Sequence, residues 1–149
     1  MIRPFVFSDL EPILEIERQA FPKSSYDQAT FISLHWLHPE TFWVYVEPLD
    51  RREDKVLGYL IFSKDGHLIS IAVHPQHRRR GIGGKLLKKA MEALQGRGAW
   101  AEVRKGNAGA QAFYFKMGFR VIAQVPNYYG NEDALVIQRI PDKPERAFH

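Results

Sequence analysis

Residues 67–94, HLISIAVHPQHRRRGIGGKLLKKAMEAL, constrain the fold more than any other part of the chain. The apolar run at residues 67–73 predicts a strand that ends at a proline loop. After the glycines, apolar residues at helical spacing predict a helix that buries Leu86, Leu87, Ala90, Met91 and Leu94 and exposes its lysines. The stretch therefore predicts a strand, a glycine loop and a helix in direct succession.

The glycine loop, residues 78–84, opens the predicted helix. Backbone N–H groups in the first turn of a helix have no carbonyl partners, and the helix dipole favours an anion there. Gly81, Gly83 and Gly84 let a phosphate approach the backbone closely. Every charged residue over 66–91 is lysine or arginine, which also favours a bound anion. The glycines alone leave two interpretations open, a phosphate-binding loop and a glycine-lined packing turn.

Composition excludes several classes of function. The chain has 149 residues, of which 45% are hydrophobic and 13% aromatic, as is typical of one globular domain. It has no cysteine, which excludes disulfides, thiolate catalysis and cysteine-based zinc sites. The six histidines do not complete a ligand set with acidic residues, so no metal is expected. No apolar run reaches the ~20 residues of a membrane span and no signal peptide is recognisable, so we expect a cytoplasmic protein without a membrane partner.

Hydrophobic periodicity predicts an α/β (α+β) fold with about seven mostly antiparallel strands and about four helices. The predicted strands cover residues 2–5, 41–46, 56–62, 67–73, 100–103, 119–125 and 132–138. Asp65 and Gly66 predict a tight turn, which makes the first four strands an antiparallel meander.

Turn residues and charge indicate the limits of the domain. We expect one domain over residues 1–140, with a charged connection at 47–55 between two strands. Residues 141–149 are rich in proline and charge and predict a loose tail. Gly130 and Asn131 predict a two-residue hairpin, which would narrow a binding groove beside it.

Four motifs in order along the chain carry a family resemblance. The motif RRRGIG, residues 78–83, resembles the Arg/Gln-x-x-Gly-x-Gly/Ala signature of the GNAT superfamily of acetyltransferases. AEVRKGNAGAQAFYFKMGF at 101–119, AFPKSSY at 20–26 and NYYGNEDALVI at 127–137 are similar to the N-terminal protein acetyltransferases of the ribosomal-protein type. The resemblance implies a single GNAT-like domain whose central sheet has two splayed strands.

The resemblance also implies acetyl-CoA as the cofactor, with CoA as product. The diphosphate of CoA would bind the loop formed by Arg78, Arg79, Arg80, Gly81, Ile82, Gly83 and Gly84. The pantetheine arm would enter between the strands SIAV and AEV, along the backbone of Ile71, Ala72 and Val73. Arginine side chains and free N–H groups independently suit the phosphates of CoA.

Acetyl transfer to an amine needs a proton acceptor for the amine and a proton donor for the departing thiolate. Glu102 lies on a predicted strand between two apolar residues and can accept a proton, directly or through water. The plain alternative is a salt-bridged glutamate on the surface of the strand, and the resemblance favours the catalytic role. No carboxylate lies between His67 and Val73, which excludes the central-strand base that some other GNAT enzymes use.

Tyr114 is the candidate proton donor. It lies seven residues after Asn107 on a predicted helix, so the two residues share a face. A phenol of pKa about 10 can protonate a thiolate whose thiol has a pKa near 8.5. Asn107 can cap the helix and contact the pantetheine amide. The alternatives are a half-buried tyrosine with a backbone partner and an asparagine that only caps its helix.

The resemblance implies that the acceptor is the α-amine of a protein or peptide N-terminus. Phe21, Pro22, Tyr26, Tyr128 and Tyr129 would form the walls of the acceptor groove, and the alternative for these residues is edge packing between loop and sheet. Three other functions stay open: acetylation of a lysine, acetylation of a small-molecule amine, and a non-catalytic CoA sensor. We expect a monomer or weak homodimer.

A nucleic-acid partner is the remaining alternative for the basic stretch. The patterned helix and the downstream glutamate and tyrosine motifs are superfluous to that role, so no nucleic acid is expected. The sequence departs from the family at His74, where aspartate is common. It also departs at Lys105 and Gly106, where polar residues are common, and we therefore expect a looser approach to the helix that follows.

Overall fold

A computed structural model describes residues 1–49 and 54–141, which contain seven strands and four helices. In chain order these are β1 (Ile2–Pro4), α1 (Leu10–Ala20), α2 (Gln28–Leu37), β2 (Phe42–Pro48), β3 (Asp54–Phe62), β4 (Leu68–Val73), α3 (Ile82–Ala93), β5 (Ala99–Arg104), α4 (Ala108–Lys116), β6 (Arg120–Val125) and β7 (Ala134–Arg139). The predicted fold class is confirmed. The described residues pack as two compact units, residues 1–49, 54–64 and 68–90 in the first and residues 65–67 and 91–141 in the second.

The first unit is built on an antiparallel sheet of order β1-β2-β3-β4, which confirms the predicted meander. Strand β2 buries Phe42, Val44 and Val46 and leaves the alternate residues partly exposed, because one face of the strand covers the core. Strand β3 lies inside the sheet and is buried from Val56 to Phe62. Strand β4 is the edge strand that follows it.

A buried hydrogen-bonded chain links the loop after α1 to this sheet. Glu17 on α1 is 1% exposed, and its carboxylate accepts the hydroxyl of Tyr59 and, at 2.8 Å, the N–H of Tyr26. The Tyr59 hydroxyl also lies 2.9 Å from the hydroxyl of Ser70 on β4. Burial raises the pKa of Glu17. The chain of hydrogen bonds therefore holds the segment around Tyr26 against the centre of the first unit.

The second unit is built on an antiparallel sheet of order β5-β7-β6. Strand β5 buries the small apolar residues at alternate positions, so Trp100, Glu102 and Arg104 share the opposite face. Helix α4 contributes Tyr114, whose ring packs at 5.2 Å against the buried ring of Phe119. The alternation along β5 thus brings an aromatic ring, a carboxylate and a guanidinium onto one face of the strand.

The predicted two-residue hairpin at Gly130–Asn131 is wrong, because β6 and β7 are separated by residues 126–133, here named the β6–β7 loop. The side chain of Asp133 accepts the N–H of Asn127 at 3.0 Å and the amide of Gln124 at 2.7 Å. These side-chain bonds take the place of the strand pairing that a short hairpin needs. A short hairpin therefore does not narrow a groove at this position, contrary to the prediction from the sequence.

Two predicted segments fall outside the described residues. The charged connection at 47–55 includes residues 50–53, and the tail at 141–149 lies beyond Pro141. One domain over residues 1–140 stays a prediction. Within the described ranges, no helix combines the length and the apolar character needed to cross a membrane.

Candidate functional site

The glycine loop in the first unit has the geometry of an anion site. Helix α3 begins at Ile82, and the first N–H to bond back to the loop is that of Lys85, which donates to the carbonyl of Gly81 at 3.0 Å. Helix geometry leaves the preceding N–H groups without partners inside the helix. Gly81 has a φ of +76°, and no heavy atom lies within 4 Å of the position of an added Cβ. The loop therefore combines helix-end amides with an uncrowded position at Gly81, both of which a phosphate site needs.

The three arginines of the loop have different surroundings. Arg78 and Arg79 are exposed. The guanidinium of Arg80 forms an ion pair with Glu47 on β2 and lies 2.9 Å from Nδ1 of His77. Arg80 is thus held by a carboxylate of its own unit, whereas its two neighbours are accessible to an anion.

Strand β4 carries the residues predicted to contact the pantetheine arm. Ile71 and Val73 are half-buried and Ala72 is buried. The strand pairs with β3, where Gly58 lies opposite Val73, and forms the end of the first sheet. The outer edge of such a strand presents N–H and C=O groups that an extended amide-containing ligand can pair with. The residues present therefore fit pantetheine.

Glu102 in the second unit has a partner that the sequence did not predict. Its carboxylate lies 2.7 Å from Nε2 of His67. The imidazole also stacks on the ring of Trp100, with the centroids 5.2 Å apart and the planes 4° from parallel. The hydrogen bond to Glu102 raises the pKa of His67, against the opposing effect of burial and with a smaller contribution from Asp65. The candidate base is therefore a carboxylate–imidazole pair.

His67 escaped prediction because it lies 35 residues from Glu102 in the chain. No local periodicity relates two residues at that separation. The sequence does predict that Trp100 and Glu102 share one face of β5 and could contact the same residue. It does not predict that this residue is His67.

Asn107 precedes the first turn of α4, and Tyr114 lies in its last turn. The side chain of Asn107 accepts the N–H of Ala110 at 3.0 Å and so caps α4, as the plainer alternative predicts. Tyr114 is buried, and burial raises its pKa well above the usual range, with smaller contributions from Tyr129 and from the charge of Glu102. The phenol therefore stays protonated, and it is a weaker acid than the sequence-based comparison with a thiol assumes.

The aromatic pair Tyr128 and Tyr129 lies in the β6–β7 loop. Their rings meet edge to face at 4.9 Å, and Tyr128 is 51% exposed. Burial and then the charge of Glu102 raise the pKa of Tyr128. The field of one carboxylate thus acts on Tyr114 and on Tyr128, which groups the candidate base, the candidate acid and the candidate acceptor-binding residues in the second unit.

The other predicted acceptor residues lie in the first unit, after α1. Pro22 is exposed, whereas Phe21 and Tyr26 are half-buried against the core. The ring of Tyr26 meets Phe31 edge to face at 5.7 Å. Packing against the core therefore accounts for the burial of one side of Phe21 and of Tyr26. A groove that combines these residues with Tyr128 and Tyr129 stays a prediction.

Comparison with known proteins decides the family. The sequence pattern of the Acetyltransferase (GNAT) family matches residues 10–119. The chain belongs to the GNAT acetyltransferase family. An uncharacterized N-acetyltransferase from Methanocaldococcus jannaschii is 36% identical to this GNAT chain over 151 residues, which cover 95% of this chain and 93% of the relative.

Two further relatives indicate the branch of the GNAT family. An N-alpha-acetyltransferase from Sulfurisphaera tokodaii is 31% identical and covers 91% of this chain, with 90% of its own length aligned. The crystal structure of the ribosomal-protein-S18-alanine N-acetyltransferase from Escherichia coli matches with a TM-score of 0.78 at 27% identity, covering 100% of this chain and 99% of that one. The resemblance to GNAT enzymes of the ribosomal-protein type is confirmed, and this protein is an acetyl-CoA-dependent N-acetyltransferase.

Proposed function

We propose that this GNAT enzyme acetylates the α-amine at the N-terminus of a protein or peptide. The observation that carries the proposal is the Glu102 carboxylate, which lies 2.7 Å from Nε2 of His67 in the same unit as the buried phenol of Tyr114 and the exposed ring of Tyr128. A base with a histidine partner thus lies in electrostatic range of a protonated phenol and of an exposed aromatic residue. The N-alpha-acetyltransferase from Sulfurisphaera tokodaii supports the same acceptor.

Each residue has one task in the proposed reaction. The Glu102–His67 pair accepts a proton from the acceptor amine, whose nitrogen then forms a bond to the thioester carbon. The carbon–sulfur bond breaks, and Tyr114 donates its proton to the departing thiolate. Water then returns a proton to the phenolate, and the Glu102–His67 pair releases the amine proton to water. The amides of Gly81–Gly84 with Arg78 and Arg79 bind the diphosphate of acetyl-CoA, and the edge of β4 binds its pantetheine arm.

The acidity of the acceptor favours an α-amine over a lysine. An α-amine has a pKa near 7.7–8.0 and a lysine near 10.4, so a free lysine amine costs roughly 3.5 kcal/mol more at neutral pH. A carboxylate–imidazole pair is a modest base and is matched to the easier deprotonation. The cytoplasmic location and the monomer or weak homodimer expected from the sequence stay predictions.

A panel of peptides tests the acceptor. We expect acetylation of short peptides with free N-termini and no acetylation of the same peptides when the α-amine is blocked, measured by mass spectrometry after incubation with acetyl-CoA. Each peptide contains one lysine, so that the modified nitrogen is located by fragmentation. Preferred modification of blocked lysine peptides or of a polyamine would contradict the α-amine assignment. CoA binding without acetylation of any amine would favour a sensor.

The raised pKa of His67 predicts a dependence of kcat on pH. Below that pKa the imidazole is protonated and the pair cannot take the amine proton, whereas above it the imidazole is neutral and the pair can. We therefore expect kcat to fall as the pH drops through a value above 6.5, the ordinary pKa of histidine. His67→Gln has no proton to gain, so this acidic limb should move to lower pH in the variant.

The measurement is the kcat profile of wild type and variant with one peptide and saturating acetyl-CoA. The α-amine of the peptide is the same in both profiles, so its own titration cancels from the comparison. Superimposable profiles would show that His67 takes no part in proton transfer.

A further inference from the structure

Arg104 is the third residue on the face of β5 that carries Glu102, and its side chain is only 13% exposed. The guanidinium lies over the ring of Tyr129, 4.2 Å from the centroid. Its Nη1 donates to the carboxylate of Glu132 at 3.1 Å and to the side-chain oxygen of Asn131 at 3.0 Å. One side chain therefore contacts three residues of the β6–β7 loop.

Glu132 extends this contact to the segment that begins α4. Its second carboxylate oxygen accepts the N–H of Gly106 at 2.7 Å. A Cβ on Gly106 would stand 2.5 Å from that oxygen, so glycine is what lets the carboxylate reach the amide. The N–H of Lys105 also donates to the carbonyl of Asp133 at 3.0 Å. The loose approach expected at residues 105–106 is thus corrected, because two hydrogen bonds fasten this segment to the β6–β7 loop.

Arginine can make these contacts together because its guanidinium is planar. One face stacks on the tyrosine ring while the N–H groups in the plane bind carboxylate and amide oxygens. Lysine keeps the charge and lacks the plane, so it cannot stack on Tyr129 and bind Glu132 and Asn131 in this geometry. The contacts hold the ring of Tyr129 in one orientation before any acceptor arrives.

We propose that Arg104 is a positioning residue that sets the affinity for the acceptor by holding Tyr129. The inference rests on the proposed function, in which Tyr129 binds the acceptor peptide. Arg104 acts through the tyrosine ring, since its guanidinium lies over that ring and its Nη1 is engaged with Glu132 and Asn131. A ring that is already oriented loses less conformational freedom on binding, which favours peptide affinity and leaves the affinity for acetyl-CoA unchanged.

A double-mutant cycle of Arg104→Lys and Tyr129→Ala tests this proposal. We expect Arg104→Lys to raise the KM for the peptide about tenfold, with kcat and the KM for acetyl-CoA changed less than twofold. Tyr129→Ala should raise the peptide KM at least as much. The double variant should then resemble Tyr129→Ala alone, because the arginine has no ring left to hold.

Arg120→Lys on the exposed strand β6 is the matched control and should behave as wild type. Thermal unfolding of each variant separates a loss of fold from a loss of affinity. An unchanged peptide KM in Arg104→Lys, or additive effects in the double variant, would overturn the inference while the wild type still acetylates α-amines. A wild type that acetylates no α-amine would overturn the proposed function and the inference with it.

Discussion

Replacing Glu102 with glutamine is expected to lower kcat for peptide acetylation by about 10²- to 10⁴-fold, the usual loss when a general base is removed. Glutamine keeps the shape of the side chain and can still accept a hydrogen bond from His67, but its amide does not take a proton from an amine. Binding of acetyl-CoA should be unchanged, because the phosphate contacts we propose are those of the glycine loop and not of Glu102. Steady-state kinetics and calorimetry with CoA measure the two quantities.

Glu92→Gln on the exposed face of α3 is the control for loss of a carboxylate, and we expect it to leave kcat unchanged. Both variants should unfold at the temperature of the wild type within a few degrees. A Glu102→Gln enzyme that turns over at the wild-type rate would make the Glu102–His67 pair a structural contact only.

Gly84→Val is expected to weaken CoA binding by about 100-fold or more. Gly84 lies in the first turn of α3, and a Cβ there meets no heavy atom within 4 Å, so the first carbon of the valine side chain displaces no neighbour. The same side chain stands where a phosphate must approach the helix amides, and each charge-assisted hydrogen bond lost costs about 1.5–3 kcal/mol. Calorimetric titration with CoA measures the loss.

The free energy of unfolding of Gly84→Val should stay within about 1 kcal/mol of the wild type, because valine and glycine differ by less than that in helix propensity. Gly81 is a poorer test position, because its φ of +76° would strain any side chain in the free protein. Glu92→Val places the same side chain on the exposed face of the same helix and should bind CoA normally. Unchanged affinity in folded Gly84→Val would show that the diphosphate does not bind at this helix.

The fold was accessible from local patterns along the chain. The strand, glycine loop and helix of residues 67–94 are present in that order, and the buried face of α3 carries the predicted apolar residues. The same reasoning failed at Gly130–Asn131, where turn residues predicted a hairpin. Hydrogen bonds that the Asp133 carboxylate accepts from Gln124 and Asn127 set the course of the chain there, and turn propensity does not include them.

The residues of the candidate site were also predicted from the sequence only in part. The identities of Glu102 and Tyr114 followed from chemistry and from the family resemblance, and the free amides of the glycine loop followed from helix geometry. The burial and the partners of each group could not be inferred from the sequence. Burial makes the Tyr114 phenol a weaker acid than an ordinary tyrosine, and no sequence pattern reports how much of a ring the fold covers.

The sequence by itself determined the order of strands and helices and the glycine loop at the start of α3, because periodicity and helix-end geometry act over a few neighbouring residues, and the family resemblance supplied the two candidate catalytic side chains. Only the tertiary structure decided that His67 meets Glu102 and that Arg104 joins Tyr129 to Glu132. These partners are separated by 25 or more residues, and polar side chains so far apart become neighbours only when strand pairing brings their backbones together. The physical reason is that a hydrogen bond needs two atoms close together in space, and folding alone brings residues that are distant in the chain to that separation.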